Sequence, residues 1–587
     1  MSQNAGLQIL LYGMALLILA PALGEYMARV YQGRPGFVGR VVGPLERAIY
    51  RWTGVDPDQE MDWKSYAMAM LLFNAVGMLA LYGLQRVQGW LPLNPLRWGP
   101  VSPTIAFNTA VSFVTNTDWQ AYAGETTMSF LTQMMGLTVQ NFLSAATGMA
   151  VAVAVIRGFA RASAQTLGNF WVDLTRSVLY ILLPLSVLLA LFLVSQGAVQ
   201  TLQGSVTVHL IQPVRLPEGR VLPEIQLPLG PVASQTAIQH LGTNGGGFFN
   251  TNAAHPFANP TPLTDFMLAL ALMAIPVAFA YAFGRMVGDV RQGWALLAAM
   301  LILLLVPLGV GYLAEASGNP RLAALGVDLR PSPWNPGGNM TGKEVRFGIV
   351  RSVIFTASTT GTSTGAVDAM LDAMTPLGGA MAMWLMMLGE VAPGGVGSGL
   401  YGMLAFVVVA VFVAGLMVGR TPEYLGKKIE AYEMKMAALM ILIMPVLVLG
   451  LTALAVALPA GRQAAFHSGP HGFSEILYAF TSTANNNGSA FAGLDASSLF
   501  YCLTTGLAMF LGRYGTAIPA LAMAGSLGRK KRIPAGAGTL PTHTPLFIAW
   551  LTSVVIIVGA LNFFPALALG PVAEHLQMIS AGPWMGR

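Results

Sequence analysis

The chain has 587 residues, of which 55% are hydrophobic and only 10% are charged. A soluble domain carries about 25% charged residues, so this composition argues against a soluble enzyme. The net charge is +6, but the basic residues are dispersed and are not interleaved with aromatic residues, which argues against nucleic acid as a partner. We therefore expect a protein that lies within a lipid bilayer.

Ten apolar runs have about the 20 residues that a membrane-crossing helix needs. The seventh run is too long for one helix and contains a glycine-rich stretch at 394–399, so we interpret it as one crossing with a break inside the membrane. The sequence predicts an all-α polytopic membrane protein with about ten transmembrane helices. The predicted spans are 7–28, 65–84, 127–156, 177–196, 263–284, 294–314, 376–419, 436–459, 498–525 and 545–570.

Basic residues are concentrated in alternate loops. Most of the Lys and Arg fall in five segments, at 29–64, 157–176, 285–291, 420–435 and 529–532. Since positive charge collects on the cytoplasmic side of a membrane protein, these loops are predicted to be cytoplasmic and both termini to lie outside.

Four of the outer loops share one pattern, in which a short apolar or amphipathic stretch leads into a small polar strip. The strips recur 120 to 127 residues apart, which predicts four copies of one helix, pore loop and helix unit. The short stretches are Thr104–Val114, Gln235–Leu241, Gly348–Ala357 and Glu475–Thr483, and the strips are Thr115–Gln120, Gly242–Phe248, Ser358–Gly365 and Ala484–Ser489.

This pattern predicts six segments along the chain. The extra helices are in 1–64, with the first helix and a cytoplasmic loop, and in 526–587, with a basic loop and the last helix. The four repeats are 65–156 with pore loop 104–120, 177–284 with pore loop 235–250, 294–419 with pore loop 348–366, and 436–525 with pore loop 475–490.

The strips have the composition of a filter for a monovalent cation. A dehydrated cation must exchange its water shell for oxygen dipoles, which backbone carbonyls supply without fixed charge. Glycine permits the backbone angles that this arrangement needs, and the short helix before each strip directs its partly negative C-terminal end toward the ion. Four polar surface turns are the alternative interpretation, since Gly, Asn and Thr are also common turn residues.

Several long motifs resemble the KdpA family, the potassium-binding subunits of the bacterial Kdp ATPases. The resemblance extends over essentially the whole chain. The motifs are Asn108–Gln120, Gly136–Ala146, Gly242–Asn250, Gly389–Gly402, Arg420–Lys428, His471–Glu475, Asn485–Gly493 and Gly570–Glu574.

The resemblance implies a potassium-binding and translocating subunit of an ATP-driven uptake complex, with the fold of the superfamily of potassium transporters. Potassium from outside would enter a four-repeat selectivity filter and pass through an intramembrane tunnel to the P-type ATPase subunit KdpB. It further implies KdpC and the small subunit KdpF as partners, and the bacterial cytoplasmic (inner) membrane as the location. An autonomous potassium channel or ion-coupled symporter of the same superfamily is the alternative.

The family's filter residues transfer to three positions in each strip. Gln120 matches a further family position, next to the filter, that influences ion affinity. Asp118 departs from the Asn expected in relatives, so its carboxylate is expected either at the filter, where it attracts any cation, or in a hydrogen-bond network behind it, which we favour. The filter positions are Asn116, Thr117, Asp118, Thr243, Asn244, Gly245, Ser363, Thr364, Gly365, Asn486, Asn487 and Gly488.

Two charged residues, Glu390 and Arg513, lie within apolar runs. A charge at this depth costs at least roughly 2.5–3.5 kcal/mol and usually faces a cavity or a partner. We expect the two to pair below the filter and to hold the broken segment as a gate, with snorkelling to an interface as the alternative.

No sequence expected of an ATP-hydrolysing subunit is recognised. The chain has no D-K-T-G-T phosphorylation sequence, and Gly337–Lys343 has phosphate-loop spacing but is followed by Glu344 instead of Ser or Thr. We expect a non-catalytic subunit without an ATP site, and potassium at the filter as the only metal. The inner loop Arg420–Lys435 either docks a cytoplasmic ATPase domain or is simply solvated.

Overall fold

A computed structural model describes residues 3–580 except for 333, 535, 537 and 538. Residues 1 and 2 of the first predicted segment, and 535, 537, 538 and 581–587 of the last one, lie outside the described residues. The described chain is predominantly helical, with two small antiparallel hairpins.

The first half of the chain contains ten α-helices, and short π-helical turns at Thr132–Thr138 and Ser177–Leu182 extend α6 and join α7 to α8. The helices are α1 (Gln3–Tyr31), α2 (Gly36–Thr53), α3 (Trp63–Val87), α4 (Pro103–Val114), α5 (Gly124–Thr127), α6 (Val139–Ala160), α7 (Phe170–Arg176), α8 (Leu183–Ser195), α9 (Val232–Leu241) and α10 (Pro262–Val287).

The second half contains eleven α-helices, of which α20 and α21 are joined by a π-helical turn at Ala568–Val572. They are α11 (Val290–Ser317), α12 (Pro320–Ala324), α13 (Gly348–Gly361), α14 (Pro376–Met387), α15 (Ser398–Met417), α16 (Ala431–Ala457), α17 (Pro459–Arg462), α18 (Gly469–Ala484), α19 (Leu499–Arg529), α20 (Pro545–Leu567) and α21 (Ala573–Ser580).

Ten helical segments of the described chain are long and apolar enough to cross a bilayer, and each coincides with one predicted span. This confirms the predicted fold class, and with it a multi-pass membrane protein. The largest difference in bounds is at the seventh span, where only Ser398–Met417 forms a helix long enough to cross, and the last span continues to Ser580. The helices α6, α10 and α19 lie largely inside the protein, whereas α1, α3 and α16 present much of their length outward.

The seventh span is interrupted where its sequence predicts, between α14 and α15. Gly394 and Gly397 adopt φ values of +83° and +87°, which side chains rarely allow. A Cβ on Gly394 would also overlap the Glu390 carbonyl oxygen and Gly399 Cα. The break is therefore a compact turn that only glycine can form at this position.

The two hairpins lie in loops. Strand β1 (Val206–Arg215) pairs with β2 (Val221–Leu227) in an exposed hairpin, and β3 (Glu423–Tyr424) pairs with β4 (Lys427–Lys428) in the predicted inner loop. Lys427 is buried and its Nζ donates to the carbonyl oxygens of Gly158 at 2.7 Å and Leu527 at 2.8 Å. The second hairpin is thus attached to the ends of α6 and α19 and is more ordered than a simply solvated loop.

Helix α2 was not predicted, since its residues were expected to form part of a cytoplasmic loop. The apolar side chains of Phe37, Val41 and Trp52 are exposed on this helix, and the helix is too short and too basic to span. Such an amphipathic helix is typical of a membrane interface.

Candidate functional site

In each of the four polar strips the chain leaves a short helix in the same way, although the third strip begins within its helix, α13. The helices α4, α9, α13 and α18 each end two residues before a non-glycine residue with a left-handed backbone. These residues are Asn116, Thr243, Ser363 and Asn486, with φ values between +49° and +66°. Because such a conformation is uncommon outside glycine, its occurrence at four equivalent places indicates one local fold formed four times.

The four strips meet in the interior of the protein. A Cβ on Gly245 would overlap the Thr117 carbonyl oxygen and lie 3.0 Å from that of Asn487. A Cβ on Gly365 would overlap the backbone of Gly488, and one on Gly488 would overlap the Thr117 carbonyl oxygen. Backbone from all four strips is therefore in contact around one centre, and the glycines make this approach possible.

The strips separate two cavities. One cavity, called the outer cavity because it lies on the side predicted to face outward, has about 1800 Å³ of empty space, and its lining includes the third residue of every predicted triplet, Asp118, Gly245, Gly365 and Gly488. The lower cavity has about 750 Å³, and its lining includes the first residues of the third and fourth triplets, Ser363 and Asn486. The triplets thus run from the lower cavity toward the outer one.

Side-chain amides hold neighbouring strips together. The Nδ2 of Asn116 donates to the Thr243 carbonyl oxygen at 2.8 Å, and that of Asn244 donates back to Asn116 Oδ1 at 2.9 Å. The Nδ2 of Asn486 donates to Thr117 Oγ1 at 2.9 Å. These bonds join the second strip to the first and the first to the fourth.

The third strip is fixed by its own helix and by the fourth strip. The Thr359 hydroxyl donates to the Thr364 carbonyl oxygen, and the Thr364 hydroxyl lies 2.9 Å from that of Thr362. Asn487 Nδ2 donates to the Thr359 carbonyl oxygen at 3.0 Å. Several of the predicted filter residues therefore hold the strips in place, while the Thr117 and Asn487 carbonyls approach the central glycine, Gly245.

Gln120 bridges the first two strips just beyond the filter positions. Its Nε2 donates to the Gly247 carbonyl oxygen at 3.0 Å, and its Oε1 accepts from the Gly247 N–H at 3.2 Å. This reciprocal pair keeps the outer ends of the two strips in register.

Asp118 is buried on the outer side of the strips, with Asn141 and Asn244 as polar neighbours. Neither of its carboxylate oxygens makes a hydrogen bond of good geometry with the described residues. Asn141, Asn244 and the Gly245 N–H nevertheless surround the carboxyl group, so the hydrogen-bond network that we favoured for this side chain stays a prediction. Asp118 also lines the outer cavity, so the alternative placement at the filter stays a prediction as well.

The expected pairing of Glu390 with Arg513 was wrong, since among the described residues neither forms an ion pair. Glu390 Oε1 accepts from Asn487 Nδ2 at 2.9 Å and its Oε2 has no partner. Arg513 Nη2 donates to the Ser144 carbonyl oxygen at 3.0 Å. Each side chain is held by polar groups of its own surroundings, and both face the lower cavity.

A second cluster of chemically active groups lies at the N-terminal end of α18, on the side predicted to face outward. Asp372, His467, His471 and Glu475 each offer one ligand atom, and these atoms lie within 4.8 Å of one another. The expectation of potassium as the only metal overlooked this cluster. The sequence contained one signal for it, the four-residue spacing of His467, His471 and Glu475.

Comparison with known proteins gives a consistent result. The family model described as "KdpA: Potassium-transporting ATPase A subunit" matches residues 10–576. The chain is 61% identical over 578 residues to the potassium-transporting ATPase potassium-binding subunit of Sorangium cellulosum, covering 98% of this chain and 100% of the relative. Proteins of the same name from Herpetosiphon aurantiacus and Methylococcus capsulatus are 60% and 59% identical, covering 98% and 99% of this chain and 100% of each relative.

Proposed function

The chain belongs to the KdpA family of potassium-transporting ATPase A subunits, and from this premise we propose that it binds external potassium and passes it to a P-type ATPase subunit. The proposed binding site is the filter formed by the twelve predicted positions, three in each of the four repeats. The proposed repeats are 65–156, 177–284, 294–419 and 436–525.

The observation that carries this proposal is the contact of four equivalent strips between two cavities. A potassium ion that leaves the outer cavity exchanges water for the carbonyl oxygens around Gly245. Because these oxygens carry no net charge, they bind the ion strongly enough to replace its water but weakly enough to release it. The hydrogen bonds that Asn side chains make between the strips keep the carbonyl oxygens from closing around a smaller ion.

The shape of the lower cavity favours a sideways path over a straight one. Its lining continues from Glu390 and Arg513 to Met444 of α16 and to Gly559 and Phe563 of α20. We propose that potassium takes this route, as an intramembrane tunnel, to KdpB. The positive charge of Arg513 opposes a straight passage toward the cytoplasm.

The proposed partner subunits follow from the same family membership. We propose that KdpC and KdpF complete the complex in the bacterial inner membrane, with both termini of this chain outside. The attached β3–β4 hairpin, on the predicted cytoplasmic side, is a surface on which a cytoplasmic ATPase domain can dock.

The test is ATP hydrolysis by the complex purified in mild detergent, measured at graded potassium concentrations. Gly245→Ala places a methyl group against the Thr117 carbonyl oxygen, so half-maximal stimulation should require at least tenfold more potassium. Gly309→Ala is the matched control, because this helical glycine has nothing within 4 Å of an added Cβ.

Equal potassium responses in the two variants would contradict the filter. A chain that purifies without an ATPase, yet conducts potassium in liposomes, would contradict the pump-subunit assignment and favour an autonomous channel.

A further inference from the structure

The cluster at the outer end of α18 combines parts of the chain that are distant in sequence. His467 precedes the helix, and His471 and Glu475 follow on one face of its first two turns. Asp372 comes from the loop after the third strip, and Glu574 of α21 completes the group. The cluster therefore joins the third and fourth repeats to the C-terminal helix.

The carboxylates of the cluster are removed from solvent without a basic partner. The Glu475 side chain is 0% exposed, and among the described residues no Lys or Arg forms an ion pair with Asp372, Glu475 or Glu574. Buried charges require a compensating charge. Only the two imidazoles, or a cation held between them, can supply it here.

The histidines are oriented as metal ligands are. His471 Nδ1 lies 2.9 Å from Glu574 Oε1, which leaves Nε2 facing Asp372 Oδ1 at 3.1 Å and Glu475 Oε1 at 3.9 Å. A carboxylate behind a histidine is the usual means of fixing the tautomer and ring of a metal ligand. His467 Nδ1 approaches Glu475 Oε1 from the other side, at 2.6 Å.

The backbone leaves room for this arrangement. Gly493 lies against both acids, and a Cβ there would overlap Glu475 Oε1 and lie 3.0 Å from Asp372 Oδ2. The ring of Phe491, which lines the outer cavity, is stacked on His471 with centroids 6.2 Å apart. The cluster thus lies directly behind the wall of the outer cavity.

We propose that Asp372, His467, His471 and Glu475 bind one Zn²⁺ ion. Two nitrogen and two oxygen ligands suit a tetrahedral zinc site, whereas Ca²⁺ and Mg²⁺ prefer oxygen ligands. Bonds of zinc length bring ligand atoms to about 3.3 Å from one another, and His467, with 56% of its side chain exposed, is free to make most of this adjustment. The ion would link two repeats and α21 beside the outer cavity.

A proton is the competitor of this ion. Hydrogen bonds to Asp372 and to Glu574 raise the pKa of His471 to about 10, so without metal the protonated ring supplies the compensating charge. The proposal and this alternative differ in whether the purified protein retains zinc.

The experiment uses the full-length chain in its detergent-solubilised complex, stripped with a chelator and then dialysed against graded Zn²⁺. We expect one zinc per chain by elemental analysis, and visible absorption typical of tetrahedral Co²⁺ when Co²⁺ replaces Zn²⁺. His467→Gln should weaken zinc binding at least tenfold, and Glu574→Gln, behind a ligand, about 10- to 100-fold.

The matched control is His209→Gln, because His209 is exposed on the β1–β2 hairpin and lies 3.1 Å from a single carboxylate, that of Glu224. It should leave zinc binding unchanged. Absence of stoichiometric zinc, equal loss in His209→Gln and His467→Gln, or equally tight binding of Ca²⁺ would each overturn the proposal. Potassium-stimulated ATP hydrolysis in these samples tests the proposed function separately.

Discussion

Two buried sets of one acidic and one basic residue lie in different parts of the protein, and only one of them forms an ion pair. The side chains of Glu315, in α11, and Lys343 are both 0% exposed, and Lys343 Nζ lies 2.6 Å from Glu315 Oε2. Glu315 also accepts hydrogen bonds from the N–H and hydroxyl of Thr375 and from Asn339. Glu390 and Arg513 share the lower cavity but remain apart, and one oxygen of Glu390 has no partner.

The contrast distinguishes charges that hold the fold from charges that act on an ion. A buried pair with every acceptor satisfied connects α11 to α14 and to the loop that bears Lys343. Glu390 and Arg513 are not neutralised by an ion-pair partner. Each can therefore attract or repel a potassium ion in the lower cavity. The variants below test this distinction, from the largest expected effect to the smallest.

Removal of one member of the satisfied pair should cost the most stability. Glu315→Ala leaves Lys343 buried without a counter-charge, and breaking a buried pair in this way typically costs about 3–5 kcal/mol. The melting temperature in detergent should fall strongly. The control is Glu25→Ala, whose partners Arg29 and Arg285 are largely exposed and whose loss should cost at most about 1 kcal/mol. Equal shifts in both variants would contradict the structural role of Glu315.

Glu390→Gln should affect ion handling instead of stability. The amide oxygen still accepts from Asn487, so the melting temperature should stay near that of the unmodified protein. Loss of the negative charge below the strips should raise the potassium concentration for half-maximal ATP hydrolysis about tenfold, which corresponds to about 1.4 kcal/mol. A large loss of stability with an unchanged potassium response would show that Glu390, like Glu315, mainly stabilises the fold.

Arg513→Gln should increase leakage of potassium. Without the positive charge, the straight passage below the strips is less opposed, and ATP-independent flux into liposomes should rise severalfold, because repulsion in a low-dielectric site is strong. Arg513→Lys keeps the charge and is the control. Unchanged flux in Arg513→Gln would refute its gating role.

Asp118→Asn should give the smallest change. The amide has the same shape as the carboxyl group and its oxygen can still accept from Asn141, Asn244 or the Gly245 N–H, so the fold should tolerate it. Potassium affinity should fall about two- to threefold, since one nearby charge is lost, while competition by Na⁺ should weaken. The measurement is potassium-stimulated ATP hydrolysis with and without Na⁺, and stronger Na⁺ competition in the variant would contradict a carboxylate that faces the ion.

The helical architecture was readable from the sequence because lipid requires long apolar segments, and the polar strips stood out against them. The glycine break at 394–399 was predicted for the same reason. Helix α2 was missed because its apolar residues are spread over one face and form no continuous run. The separation of Glu390 from Arg513 was also not predictable, because composition does not show that Asn487 and the Ser144 carbonyl are nearer partners.

The positions of the strips followed from spacing, but their internal bonding did not. Asn116 and Asn486 were predicted as filter positions from the resemblance, and the sequence did not show that their side chains join neighbouring strips. The cluster combines Asp372 with His471 of α18, which is 99 residues further along the chain, and local sequence patterns do not connect residues so far apart.

The most direct test of the central claim is anomalous diffraction from crystals of the complex soaked in Rb⁺, a heavier congener of potassium. The account predicts an anomalous peak between the outer and lower cavities, among the backbone oxygens of Thr117 and Asn487 and beside Gly245. Ordered Rb⁺ found only elsewhere, such as in the lower cavity beside Glu390, would contradict a filter formed by the four strips.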